Sequence, residues 1–316
     1  AKLAFRARSR GLTAAGVDRA RTEERSLMRA WMMRKTVHLI AAEDTGWLVP
    51  LFAEPTVRWS RKRLNDFGLD RRGQDRAMAV LHGAVDEEGA LTRPELAERL
   101  RRAGFDTANE FKVHLWLLAT LDGELCLGPD RDGQTCLVRT SEWIGELKPR
   151  PRADSLAELA RRYLRGYGPA TERDLARWAG LPLRDSRLGF ERIASELAPV
   201  ETDGGTAFTL GELPRAPRSP LVRLLGAFDN YNLGYTDRGF AVGAENVKQI
   251  VPGGGIVRPT VTVDGRFVGT WSSKRSGARL AVTIEPFGRL EPAIEEAIDA
   301  EVADIGRFEG LSATIA

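Results

Sequence analysis

The spacing of apolar residues changes period several times along the chain, and each change predicts an element. Val17, Ala20, Leu27, Ala30 and Trp31 recur at patchy helical intervals behind Thr13 as an N-cap, which predicts a helix over 13–31. "TVHLIA" then alternates as a strand. "AAEDTGWLVPLF" reads as a helix start, with Glu43 and Asp44 in a first turn where the helix dipole favours carboxylates. "RWSRKRLNDFG" packs Arg61, Lys62 and Arg63 together, and another helix is expected over about 75–85.

A more regular unit follows. Thr92 and Glu95 have capping-box spacing, Pro94 sits in the first turn, and Gly104 stops the helix. A second helix is expected from Thr107, with Phe111, Leu115, Leu118 and Leu121 on one face. Two strands around "PDRDG" complete it. Helix, turn, helix and hairpin in that order read as a winged helix.

About 80 residues on, the grammar recurs. Thr171 and Asp174 repeat the cap, Leu175-Ala176 matches Leu96-Ala97, Ala179-Gly180 matches Ala103-Gly104, and a hairpin turns at "TDGGT". "KPRPRADS" links the copies, and "GELPRAPRSPL" closes the helical part. Beyond it, alternation with turns at Asp264-Gly265 and Ser276-Gly277 predicts a three-stranded meander covered by a last helix over about 290–306. The expected fold is α+β, with tandem winged-helix repeats and a C-terminal antiparallel β-rich domain. Its segments are 1–74 (a first winged helix, N-terminally incomplete), 75–148, 149–213 and 214–316.

Hydrophobic content of 42% and charge of 29% over 316 residues exclude a disordered or membrane protein. The expected location is the cytoplasm. Cys126 and Cys136 flank the hairpin turn, where a disulfide is geometrically conceivable; buried thiols are the expectation in a reducing compartment. His38, His82 and His114 are scattered and supply no zinc ligand set, so no metal is expected. Net charge is only +3, but residues 1–75 carry 16 Lys and Arg against 9 Asp and Glu. That excess reads either as a solvated surface or as a face for phosphates.

On the second reading the DNA-binding candidates are Arg6, Arg8, Arg10, Arg34, Lys35, Arg61, Lys62, Arg63, and the hairpin tip Lys274 and Arg275 in "SSKRSG". Arg34 and Lys35 also suit a helix C-terminus, where the dipole favours cations. His38, in mid-strand, is either structural or a polar group lining a cleft. "LLGAFDNYNLGYTDRG" is the densest polar-aromatic cluster. Asp229, Asn230, Tyr231, Tyr235, Asp237 and Arg238 there form either a buried network tying the last domain to those before it or a cleft lining. His38, Asp229 and Asn230 are the weak catalytic candidates. Phosphate-loop, dinucleotide and nucleophile-elbow signatures are missing, and "PGGGI" reads as a turn.

"MRKTVHL", "FDNYNLGYTDR" and "TVTVDGRFVGTW", with the winged-helix repeats, make essentially the whole chain resemble the AlkZ/YcaQ-like winged-helix DNA glycosylases, a bacterial family. The resemblance implies three tandem winged helices in a C-shaped body with a basic concave face for double-stranded DNA. It implies excision of bulky N-alkylated purines, in some members crosslink unhooking, and in some relatives self-protection of producers of genotoxic natural products. No cofactor is implied, and a monomer is expected because three modules in one chain can clasp DNA alone. The family signature, Gln-apolar-Gln or Gln-apolar-Asp, falls just before the segment matching "AKLAFRARSRGLT". Gln74, Gln134 and Gln249 form no such pair, so it is expected upstream of Ala1. The alternative is a non-catalytic winged-helix DNA-binding protein, a regulator or a lesion-sequestering resistance protein.

Overall fold

The computed structural model describes residues 2–105, 109–212 and 220–316. Helices α1 (Lys2–Arg6) and α2 (Ala14–Thr22) come first. The helix expected to run to residue 31 stops at Thr22 instead. Arg25 turns the backbone with a left-handed φ of 54°, and Leu27–Met32 is a strand, β1, burying Met28, Ala30 and Met32. Its other face carries Leu27 and Trp31, both half-buried, and apolar residues on both faces hide a period of two. The chain turns at Met33–Lys35 into β2 (Thr36–Ala41), the predicted strand, paired from Leu27 opposite Ala41 to Met32 opposite Thr36.

Glu43 and Asp44 lie in a 3-10 turn ahead of α3 (Thr45–Asp66). Helix α4 (Arg71–Glu88) starts earlier than expected because the Asp70 carboxylate caps it, accepting from the Gly73 N–H at 2.7 Å. Then come β3 (Leu91–Thr92), α5 (Arg93–Arg102), α6 (Asn109–Leu121), β4 (Leu125–Arg131) and β5 (Gln134–Arg139), the predicted winged-helix order. The capping box is formed: the Thr92 N–H donates to Glu95 Oε2 at 2.7 Å while the Thr92 hydroxyl accepts from the Glu95 N–H. Thr107 lies outside the described residues.

After α7 (Thr140–Ile144), the order repeats in α8 (Arg152–Tyr167), α9 (Glu172–Ala179), α10 (Leu183–Arg192), β6 (Leu197–Thr202) and β7 (Gly205–Leu210). The Thr171 N–H donates to Asp174 Oδ2 at 3.0 Å and the Asp174 N–H returns to Thr171 Oγ1 at 3.2 Å, a second capping box. Most of "GELPRAPRSPL" lies outside the described residues. Beyond it are β8 (Val222–Leu225), α11 (Asn230–Leu233), α12 (Val247–Ile250), β9 (Thr260–Val263), β10 (Arg266–Ser276), β11 (Arg279–Pro286), α13 (Pro292–Glu309) and β12 (Ser312–Ile315). The meander β9–β11 and the last helix match the sequence reading. The sheet is larger, in the order β12-β11-β10-β9-β8, and β12 runs parallel to β11, so it is not purely antiparallel. The two added strands have four residues each and no flanking hairpin turn to reveal them.

Contacts divide the molecule into two units: the described parts of Ala1–Asp18, Tyr163–Trp178 and Ser195–Ala316, and those of Arg19–Arg162 and Ala179–Ala194. In the second, strands form one sheet, β2-β1-β4-β5-β3, joined where Arg29 faces Leu127. Leu64, Leu81, Leu96, Leu115 and Leu137 fill its core. Cys126 and Cys136 are free and buried, opposite Val138 and Thr92 rather than each other, and burial pushes the Cys126 thiol up to about 12. In the other unit, Ile298, Val302 and Ile305 of α13 pack on Val222, Val261 and Val282 of the five-stranded sheet.

Candidate nucleic-acid interface

In the unit containing α3 and α6, the three-residue turn between β1 and β2 carries Arg34 and Lys35, both exposed. Both are left-handed, with φ of 53° and 61°. That conformation costs roughly 1–2 kcal/mol per non-glycine residue, so the surroundings must enforce it. They do. Thr36 Oγ1 donates to the Met33 carbonyl at 3.0 Å, Met33 is buried, and Gly180 presses on the turn. A Cβ on Gly180 would lie 2.8 Å from Arg34 Cγ. Arg34 and Lys35 therefore sit at a hairpin tip, not at the helix C-terminus that one sequence reading allowed.

The Lys35 ammonium lies 3.9 Å from the Trp59 ring centroid, and Trp59 meets the buried His114 edge-on at 4.6 Å. His38 is half-buried on β2, with Nε2 2.7 Å from Thr36 Oγ1. Burial lowers its pKa; a bond to the Met33 backbone opposes that, and the charge of Arg34 adds to it.

Arg61, Lys62 and Arg63 share α3 but point to different partners. Arg61 meets Gln74 Oε1 at 3.2 Å and Asp75 at 3.5 Å; Lys62 and Arg63 meet Asp66 at 3.0 and 3.7 Å. Their charge is matched by carboxylates on the same two helices. Gln74 is structural: its amide donates to the Arg61 and Leu69 carbonyls and to Asn65, closing the turn from α3 to α4.

In the other unit, Arg6 corrects the sequence reading. Its side chain is 1% exposed and bonds Glu301 at 2.8 Å, Asp304 at 3.1 Å and the Leu224 carbonyl at 2.7 Å. Such a guanidinium cannot reach a phosphate without unfolding its own pocket. Arg8, half-exposed, grips Asp229 with two bonds of 3.0 and 2.7 Å. The Asp229 side chain is fully buried and also accepts from the Tyr231 N–H, capping α11. In the polar-aromatic cluster Asp229 is buried and Tyr231, Tyr235 and Arg238 are half-buried, while Asp237 is exposed. Tyr163 and Tyr235 donate to the Gly234 and Tyr167 carbonyls, at 2.6 and 2.8 Å, and burial raises both phenols. Asn230 and Arg10 are exposed.

Lys274 and Arg275 are exposed at the β10–β11 tip. Pairing there continues to Ser276 opposite Arg279, and β9 covers β10 only as far as Thr270, so β10 runs past β9 toward the tip, while β12 pairs with β11 from Arg279 on. Arg279 adds a third cation, which the sequence reading missed. Trp59 and Phe228 were missed too; each reads as a core aromatic, yet they are 37% and 54% exposed. Among the described residues no three His, Cys, Asp or Glu side chains gather as a metal site needs, and no helix is long and apolar enough to cross a membrane.

Comparison with known proteins places this architecture. An interstrand DNA cross-link repair glycosylase of Streptomyces sahachiroi is 31% identical over 303 residues, 91% of this chain and 80% of the relative. The solved structure of DNA glycosylase AlkZ from the same organism superimposes with a TM-score of 0.76 at 27% identity, over 95% of this chain and 84% of that one. The model of the family described as "DNA glycosylase AlkZ-like" matches residues 1–308, and the chain belongs to that family.

Proposed function

We propose that this DNA glycosylase removes bulky N-alkylated purines from duplex DNA and that crosslinks formed through such purines are among its substrates. Alkylation at N7 or N3 puts a positive charge on the base, which then leaves readily as its N-glycosidic bond breaks. What remains is to hold a water at the sugar C1′ and to stabilise oxocarbenium character. An amide or carboxylate oxygen does both without a nucleophilic lysine. One water is consumed, and free base and an abasic site are the products.

The observation that carries this reading is the likeness to a cross-link repair glycosylase along nearly the whole chain. The resemblance assigns water activation to a Gln-apolar-Gln or Gln-apolar-Asp pair, and none of Gln74, Gln134 and Gln249 forms one. We assign phosphate contacts to Arg34, Lys35, Lys274, Arg275 and Arg10, all exposed, with Lys62 and Arg63 auxiliary to them. Asp229 holds Arg8 and so anchors the segment after α1. The protein acts as a monomer in the cytoplasm.

The test compares three duplexes incubated with full-length protein: one with a bulky N7-alkylguanine, one with N7-methylguanine and one crosslinked through N7. Release of the bulky base, with separation of the crosslinked strands on a denaturing gel, is expected. Release of N7-methylguanine alone would overturn the substrate class.

A further inference from the structure

Phe228 is 54% exposed and has a left-handed φ of 57°. A bulky residue holds that conformation only where its surroundings impose it. Three contacts impose it here. Asp229, the next residue, is locked between Arg8 and the α11 N-terminus. The Phe228 N–H donates to the Val257 carbonyl at 3.3 Å. Gly226 is packed so closely on Leu3 that a Cβ there would lie 3.2 Å from the Leu3 Cβ. The loop is clamped and the ring is left outside.

Beside Val257, Ile256 is 51% exposed and follows Gly253, Gly254 and Gly255, all left-handed. Two apolar side chains are therefore presented from adjoining backbone segments. Cations lie on the same segments: Arg258 is exposed two residues after Ile256, and Arg10 is exposed two residues after Arg8, the clamp on Asp229. An apolar projection among cations is complementary to a base step between phosphates, and apolar side chains that unstack a step are a known way of bending a duplex.

We propose that Phe228, backed by Ile256, is a wedge that enters a base step beside the lesion, with Arg10 and Arg258 on the flanking phosphates. The inference rests on the DNA glycosylase reading and adds to it how the damaged purine is loosened from the stack.

The experiment uses full-length protein and a duplex with 2-aminopurine next to a bulky N7-alkylguanine. Wild type, Phe228→Leu and Phe228→Gly are compared by 2-aminopurine fluorescence, single-turnover excision and Tm. Glycine adopts the left-handed backbone freely, so Phe228→Gly is expected to keep or raise the Tm. Wild type should brighten the probe on binding. Phe228→Gly should bind within about threefold of wild type, because phosphate contacts dominate affinity. It should leave the probe dark and excise at least about tenfold more slowly, with Phe228→Leu in between. Wild-type brightening and rate in Phe228→Gly would overturn the wedge. So would a silent wild-type probe with a large Tm loss in Phe228→Gly, the signature of a ring seated against another segment of this chain. Wild type that neither binds nor excises would sink the glycosylase reading, and the wedge with it.

Discussion

Arg6 and Arg8 are separated by one residue and look equivalent in the sequence, yet one is buried against Glu301 and Asp304 and the other half-exposed on Asp229. Composition shows a cation and not its partner, and both partners lie more than 200 residues away, out of reach of any local pattern. Arg6→Ala removes the closer of two arginines from the largely buried Glu301, which keeps Arg223 at 3.3 Å, and also strips Asp304 and the Leu224 carbonyl of their Arg6 bonds. It is expected to cost about 3 kcal/mol in urea denaturation, whereas Arg10→Ala changes stability by less than about 0.5 kcal/mol. His38 gives a pH dependence. Burial, opposed by the Met33 backbone bond and aided by Arg34, sets its folded pKa below the unfolded value of 6.5. Its contribution is therefore complete above the unfolded pKa and lost as pH falls through the folded one. His38→Gln should flatten the Tm–pH curve below about pH 6.5 relative to wild type.

Among the elements, those with local punctuation were legible. Thr92 with Glu95, Thr171 with Asp174, and the stops at Gly104 and Gly180 placed four helix ends, and both capping boxes form. Thr92→Ala is expected to lose about 1 kcal/mol by urea denaturation. Strand β1 was illegible because Leu27 and Trp31 make both its faces apolar. That misreading also hid the hairpin tip, since Arg34 and Lys35 then looked like a helix end. At the tip, Lys35 is poised on Trp59 rather than on a carboxylate. Lys35→Ala is expected to weaken binding to every duplex alike and to reduce the slope of log K against log salt by about one unit. A sequence-dependent loss would argue for base contact instead.

For the molecule as a whole, the repeat and the change to a β-rich C-terminus could be read from chain order, whereas the grouping in space could not. Tyr163–Trp178 belongs to the unit with the C-terminal sheet because Tyr163 bonds the Gly234 carbonyl, Tyr235 bonds the Tyr167 carbonyl and the ring of Tyr167 meets that of Tyr235 edge-on at 6.0 Å. The sequence grouped Tyr231 and Tyr235 with Asp229 but gave no sign of Tyr163, Tyr167 and Trp178, and of that group it is Asp229 whose side chain is fully buried. The chemistry was legible only through the resemblance, since no paired glutamine signature lies between residues 1 and 316. The most direct test of the account measures abasic sites and free base together after full-length protein acts on a duplex with one bulky N7-alkylguanine. Equimolar free alkylguanine and alkali-labile abasic sites, with no strand break before alkali, is the predicted result. Tight, damage-selective binding with neither product would contradict it and leave a DNA-binding protein in its place.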